Sequence, residues 1–153
     1  MKNVRRRAYV SDYYWIMATD LIEDRSDDSY VLEIDDITLT PSFPEPGKDL
    51  RWEMTGRLKE QIDLTQVQCQ IQVKLGLVTL LRKTATLPEV LKMLGAELEG
   101  DTQAPSGEWT QTWTFAIPRE LPKGDFRIYV QSYTGDGEEK DFMDLNLHID
   151  FRR

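Results

Sequence analysis

The chain holds one cysteine, Cys69, and one histidine, His148, in 153 residues. A single cysteine excludes an intramolecular disulfide, and a single histidine excludes metal sites built on two imidazoles. A Cys–His nucleophile pair would have to join these two residues. No run approaches the roughly 18 consecutive apolar residues of a membrane-spanning helix. Acceptors for N-linked glycans are missing as well, since Asn3 and Asn146 are followed two positions on by Arg5 and His148. Positive charge is scarce: 19 Lys and Arg against 27 Asp and Glu leave a net charge of −8. That balance excludes nucleic acid as a natural partner and limits membrane contact to a transient one.

Sequence motifs for catalysis are equally absent. There is no G-x-S-x-G, no H-E-x-x-H, no glycine-rich phosphate loop and no zinc-binding cysteine pattern. The acidic stretch "EDRSDDS" lacks the spacing of a calcium loop. No cofactor, no metal and no catalytic residue is therefore expected. The N-terminus "MKNVRRRAYVSDYYWIMATD" begins basic, but Asp12 interrupts it and the patch from Tyr13 to Ala18 is too short for a signal peptide. Together with the missing disulfide and glycan acceptors, this predicts a reducing, cytoplasmic setting. A secreted or vacuolar setting is the alternative if a leader precedes the given start.

What is present describes one soluble domain. The apolar fraction is 40 % and the charged fraction 30 %, ordinary for a globular protein of one core. Residues 1–28 read as an N-terminal arm: basic Lys2 and Arg5–Arg7, an aromatic cluster at Tyr13, Tyr14 and Trp15, then acidic residues. A short helix is expected around 10–18, either packing Trp15 and Ile16 onto the domain or touching a partner or membrane. Residues 29–153 form the domain itself.

Within it the dominant signal is period two. "QVQCQIQVKLG" sets Val67, Cys69, Ile71, Val73 and Leu75 against Gln66, Gln68, Gln70, Gln72 and Lys74, a strand with one dry and one wet face. "LRWEMTG" places Leu50, Trp52 and Met54 on one side, and "WTQTWTFAI" does so for Trp109, Gln111, Trp113, Phe115 and Ile117. "FRIYVQSYT" sets Phe126, Ile128 and Val130 apart from Arg127, Tyr129 and Tyr133. "FMDLNLHIDF" ends the chain with Met143, Leu145, Leu147, Ile149 and Phe151 facing one way, and His148 the other. In "YVLEIDDITLTP" the alternation shifts phase at Asp36, which predicts a bulge or bend. "TLPEVLKMLGAE" is the one short helix, with Pro88 in its first turn and Gly95 as its stop. About seven short strands separated by turns predict an all-β fold, an antiparallel β-sandwich.

The order "ITLTPSFPEPGKDL", "VKLGLVTLLRKT", "LPEVLKML", then "GEWTQTWTFAIPRELPKGDFRIYVQSYTGDGEE" resembles the ML lipid-recognition family. It is most similar to the fungal phosphatidylglycerol/phosphatidylinositol transfer proteins, alongside the Niemann–Pick type C sterol carrier and the ganglioside activator. The resemblance runs from about residue 28 to 151. It implies an immunoglobulin-like sandwich whose sheets part to hold a lipid. It also implies family disulfides that this chain lacks: the corresponding positions fall at Pro88 with a partner near Ala104, and near Ile22 with a partner in 140–144. Without those bridges the relatives' secreted or lumenal setting does not carry over.

The expected function is binding or transfer of a lipid, sterol or other apolar small molecule in a cavity between two sheets. The expected wall is Trp52, Met54, Val67, Ile71, Val73, Leu75, Leu80, Leu91, Leu94, Trp113, Phe115, Ile128, Val130 and Leu147. An enzyme using the same pocket, such as a cyclase or isomerase of a hydrophobic metabolite, is one alternative. A protein-interaction module with a solid core is the other. The sequence assigns no oligomeric state.

Overall fold

The computed structural model describes residues 21–98, 100–135 and 139–151. The expected helix around 10–18, the tip of the "GDGEE" turn and the basic and aromatic part of the arm lie outside them. Ten strands occur among the described residues: β1 (Ile22–Asp24), β2 (Leu32–Thr40), β3 (Asp49–Leu58), β4 (Ile62–Asp63), β5 (Gln68–Leu75), β6 (Val78–Thr86), β7 (Gln103–Ala104), β8 (Gly107–Ala116), β9 (Asp125–Tyr133) and β10 (Asp141–Asp150). One helix, α1 (Leu87–Met93), follows β6. The strands form a five-stranded sheet in the order β1-β10-β9-β5-β6 and a three-stranded sheet in the order β2-β3-β8. β4 and β7 make a small separate pair. Every strand pair is antiparallel. The all-β sandwich expected from the alternation is the fold observed.

The arm is shorter than the sequence suggested. Ile22 to Asp24 pair with Leu145 to Leu147 at the edge of the large sheet, and the Arg25 and Val31 N–H groups donate to the carbonyls of Asp144 and Asp141. Acidic residues concealed this strand, because only Ile22 and Asp24 turn inward.

The two sheets meet at a closed end and an open end. At the closed end Trp109 lies 6.4 Å from Phe142, ring centre to ring centre, and Leu58, Leu64, Val67, Cys69 and Leu87 are buried around them. Phe142 and Met143 are consecutive yet both buried, because β10 slips register between Asp141 and Met143. At the other end Phe151 bridges Phe43 and Phe126, with centroids 6.0 and 5.6 Å away.

Helix α1 runs along the side between the β6 and β8 edges. Thr86 caps it: its hydroxyl accepts from the Glu89 N–H while the Glu89 carboxylate accepts from the Thr86 N–H, and Pro88 occupies the first turn. The Leu87 N–H donates to the Val67 carbonyl at the closed end, and the Ala116 N–H donates to the Gly95 carbonyl at the open end. Gly95 has φ +88°, and a β-carbon there would stand 2.8 Å from the Ala116 oxygen. Both the left-handed turn and the close approach require glycine.

Candidate functional site

The dry face of β5 changes character along its length. Val67, Cys69 and Ile71 are buried, Ile71 being 2 % exposed. Val73 and Leu75, on the same face, are only half-buried. The register carries this change across the sheet: Val73 lies level with Ile128 of β9 and Leu81 of β6, and Ile128 with Leu147 of β10. All four face inward by parity and all are half-buried. From the other side Leu39 of β2, Phe115 of β8 and Leu94 after α1 contribute half-buried apolar groups packed against the same core. Solvent therefore reaches between the sheets at the open end and stops near Ile71.

The expected wall residues divide accordingly. Val73, Leu75, Leu94, Phe115, Ile128, Val130 and Leu147 are half-buried and border the accessible half of the interior. Trp52, Ile71, Leu91 and Trp113 are buried behind them. Met54 and Val67 are fully buried, Val67 at the closed end. Leu80 departs from expectation: it is 51 % exposed. Between Val73↔Leu81 and Lys74↔Thr79 the β6 register gains one residue, so Leu80 bulges outward and Leu81 takes the inward place. Four leucines and valines at 77, 78, 80 and 81 read the same in either phase, which hid the bulge.

Those outward residues form an apolar tip beside the opening. Leu77, in the turn between β5 and β6, is 97 % exposed, and Val78 and Leu80 are exposed beside it. Lys74 and Arg127 lie level with each other on the outer face of β5 and β9 nearby. Sequence alternation alone could not reveal the tip, because turn residues have no parity.

Deeper in, Trp52 and Trp113 stand opposite one another on β3 and β8, and Phe115 packs edge-on against both. The two indole nitrogens are buried without a hydrogen-bond partner, as is the Ser132 hydroxyl beside Cys69 on β9.

The chemistry outside this space is ordinary. Burial alone pushes the Cys69 thiol up to about 12, so it is neither a nucleophile nor a ready metal ligand at neutral pH. His148 faces the opposite side of the large sheet, where its Nε2 bonds to the Asp125 carboxylate. A Cys69–His148 pair is thus excluded by geometry. The outer face of the large sheet carries a polar groove of about 530 Å³, lined by Arg25, Gln70, Gln72, Arg82, Tyr129, Gln131 and Asp144 among others. Among the described residues no group of three or more His, Cys, Asp or Glu side chains is placed to hold a metal. Ile22, assigned above to a bridge position opposite 140–144, instead pairs with Leu147; the segment against Asp144 begins at Arg25.

Comparison with known proteins agrees with this architecture. The sequence profile of the ML domain matches residues 24–143, and the chain belongs to that family. It is 31 % identical over 122 residues to the phosphatidylglycerol/phosphatidylinositol transfer protein of Aspergillus fumigatus, a match covering 80 % of this chain and 66 % of that protein. The protein of the same name from Mycosarcoma maydis is 30 % identical over 123 residues, covering 80 % and 62 %. The chain thus spans somewhat under two thirds of the length of these relatives. Among solved structures, a Niemann-Pick type C2 protein from Japanese carpenter ant shares the fold, with a TM-score of 0.54 at 16 % identity over 85 % of this chain and 98 % of that one.

Proposed function

We propose that the protein binds the apolar part of a phospholipid between its two sheets and exchanges it with a membrane through the open end. The observation that carries this is the gradient along β5, from fully buried Cys69 to half-buried Val73 and Leu75 on one dry face. A solid sandwich core would bury all of these alike. Each methylene of an acyl chain moved from water into such a space contributes about 0.8 kcal/mol. Lys74 and Arg127 beside the opening supply positive charge for an anionic headgroup left outside. Two relatives named as phospholipid transfer proteins support the same ligand class. The exposed tip of Leu77, Val78 and Leu80 suits brief insertion at a bilayer surface, transient because the chain's net charge is −8.

Transfer of fluorescent phosphatidylglycerol between two vesicle populations tests the proposal. Catalytic amounts of protein should accelerate exchange well above the spontaneous rate. Exchange at the spontaneous rate, with no lipid retained by the protein, would reject it. We also propose a reducing intracellular setting, since the one thiol is unpaired and buried; recovery of the native protein only from the secreted fraction of its cells would oppose that.

A further inference from the structure

Trp52 and Trp113 have ring centroids 6.3 Å apart with planes tilted by 34°, and are 5 % and 4 % exposed. An indole N–H donates and accepts nothing. Both of these are buried with no acceptor, whereas buried polar groups are nearly always paired and an orphaned donor is costly. One such donor would be an isolated defect. Two on directly opposed residues of one wall describe a place for an acceptor. Phe115 lies 6.2 and 6.4 Å from the two rings and is half-buried, so the pair sits one ring behind the surface that solvent reaches.

The geometry points to an ester-linked acyl lipid, whose carbonyl oxygen accepts from the Trp52 and Trp113 indoles while its chains lie along Val73, Ile128 and Leu147. This rests on the lipid-holding role proposed above and narrows it. A carbonyl oxygen has two lone pairs and no proton, so one group satisfies both donors. A bare hydrocarbon offers nothing to them. A ligand hydroxyl brings a donor of its own that needs a further acceptor.

The test compares ester-linked with ether-linked phosphatidylglycerol of identical headgroup and chain length, the ether form lacking only the carbonyls. Binding is measured by titration, and the indole N–H resonances are followed in protein labelled with nitrogen-15. The ester lipid should bind about tenfold more tightly, the scale of one or two regained hydrogen bonds. It alone should move the Trp52 and Trp113 indole resonances downfield. In Trp52→Phe/Trp113→Phe the ratio of affinities should fall to about one; if that variant does not fold, the wild-type ratio and resonances decide. Equal affinities, or indole resonances that stay put, overturn the inference while leaving the lipid cavity intact. Failure of both lipids to bind rejects the cavity and the inference together.

Discussion

Gly56 of β3 backs directly onto the main chain of Glu33 in β2: a β-carbon at Gly56 would stand 2.3 Å from the Glu33 carbonyl oxygen. The contact falls where the β2–β3 register slips, Ile34 pairing with Gly56 and Asp36 with Thr55. Asp35 is the extra residue, and the bulge needs a bare backbone opposite it. Gly56→Ala should therefore push β2 away and destabilise the fold by about 1–3 kcal/mol. Urea denaturation checks this, and an unchanged midpoint would show that the strands separate freely there.

This bulge was legible in advance, because the switch from Leu32 and Ile34 to Ile37 and Leu39 leaves one residue too many for a regular strand. The bulge at Leu80 was not, since leucine or valine stands at 77, 78, 80 and 81 and either phase looks apolar. β1 was invisible for the opposite reason: its inward residue Asp24 is buried and bonded through Oδ1 to the Ser26 N–H and hydroxyl, so it carries no hydrophobic signal. The inward faces of β3, β5, β8 and β9 could be read by parity. Which inward residues meet solvent depends on how far the sheets part, and alternation holds no information on that. The unpaired Trp52 and Trp113 nitrogens likewise follow from neighbours distant in sequence.

Cys69 should be chemically silent in the folded protein. Its thiol is raised from 9.0 to about 12 by desolvation, so its neutral form is favoured by folding. That stability is complete below pH 9, and it is lost as the pH rises from about 9 towards 12, where the unfolded chain ionises first. A thiol reagent at pH 8 should label the native protein far more slowly than the urea-unfolded protein. Melting temperature should be indifferent to reductant at concentrations too low for dimers through Cys69. Rapid native labelling would contradict the burial, and a drop of several degrees in reductant would reveal a covalent bond.

The tip beside the opening should matter for exchange and not for folding. Leu77 is 97 % exposed, and substitutions at such positions usually change stability by less than about 0.5 kcal/mol. Leu77→Asp should leave the melting temperature in place and retain binding of lipid supplied as monomers. It should slow transfer between vesicles severalfold or more. Undiminished transfer would remove the tip from the path to the membrane.

The most direct test of a lipid space between the sheets is Val73→Trp, read for folding and lipid binding in the same sample. Val73 faces inward at the depth where burial gives way to accessibility, so an indole there would occupy the volume assigned to an acyl chain. Native circular dichroism with little change in urea midpoint, together with loss of bound fluorescent phospholipid, is the predicted result. A solid core at Val73 would instead be overpacked, at a cost of about 1–3 kcal/mol or more. A large fall in the urea midpoint, or a folded variant that binds lipid as well as the parent, would contradict the account.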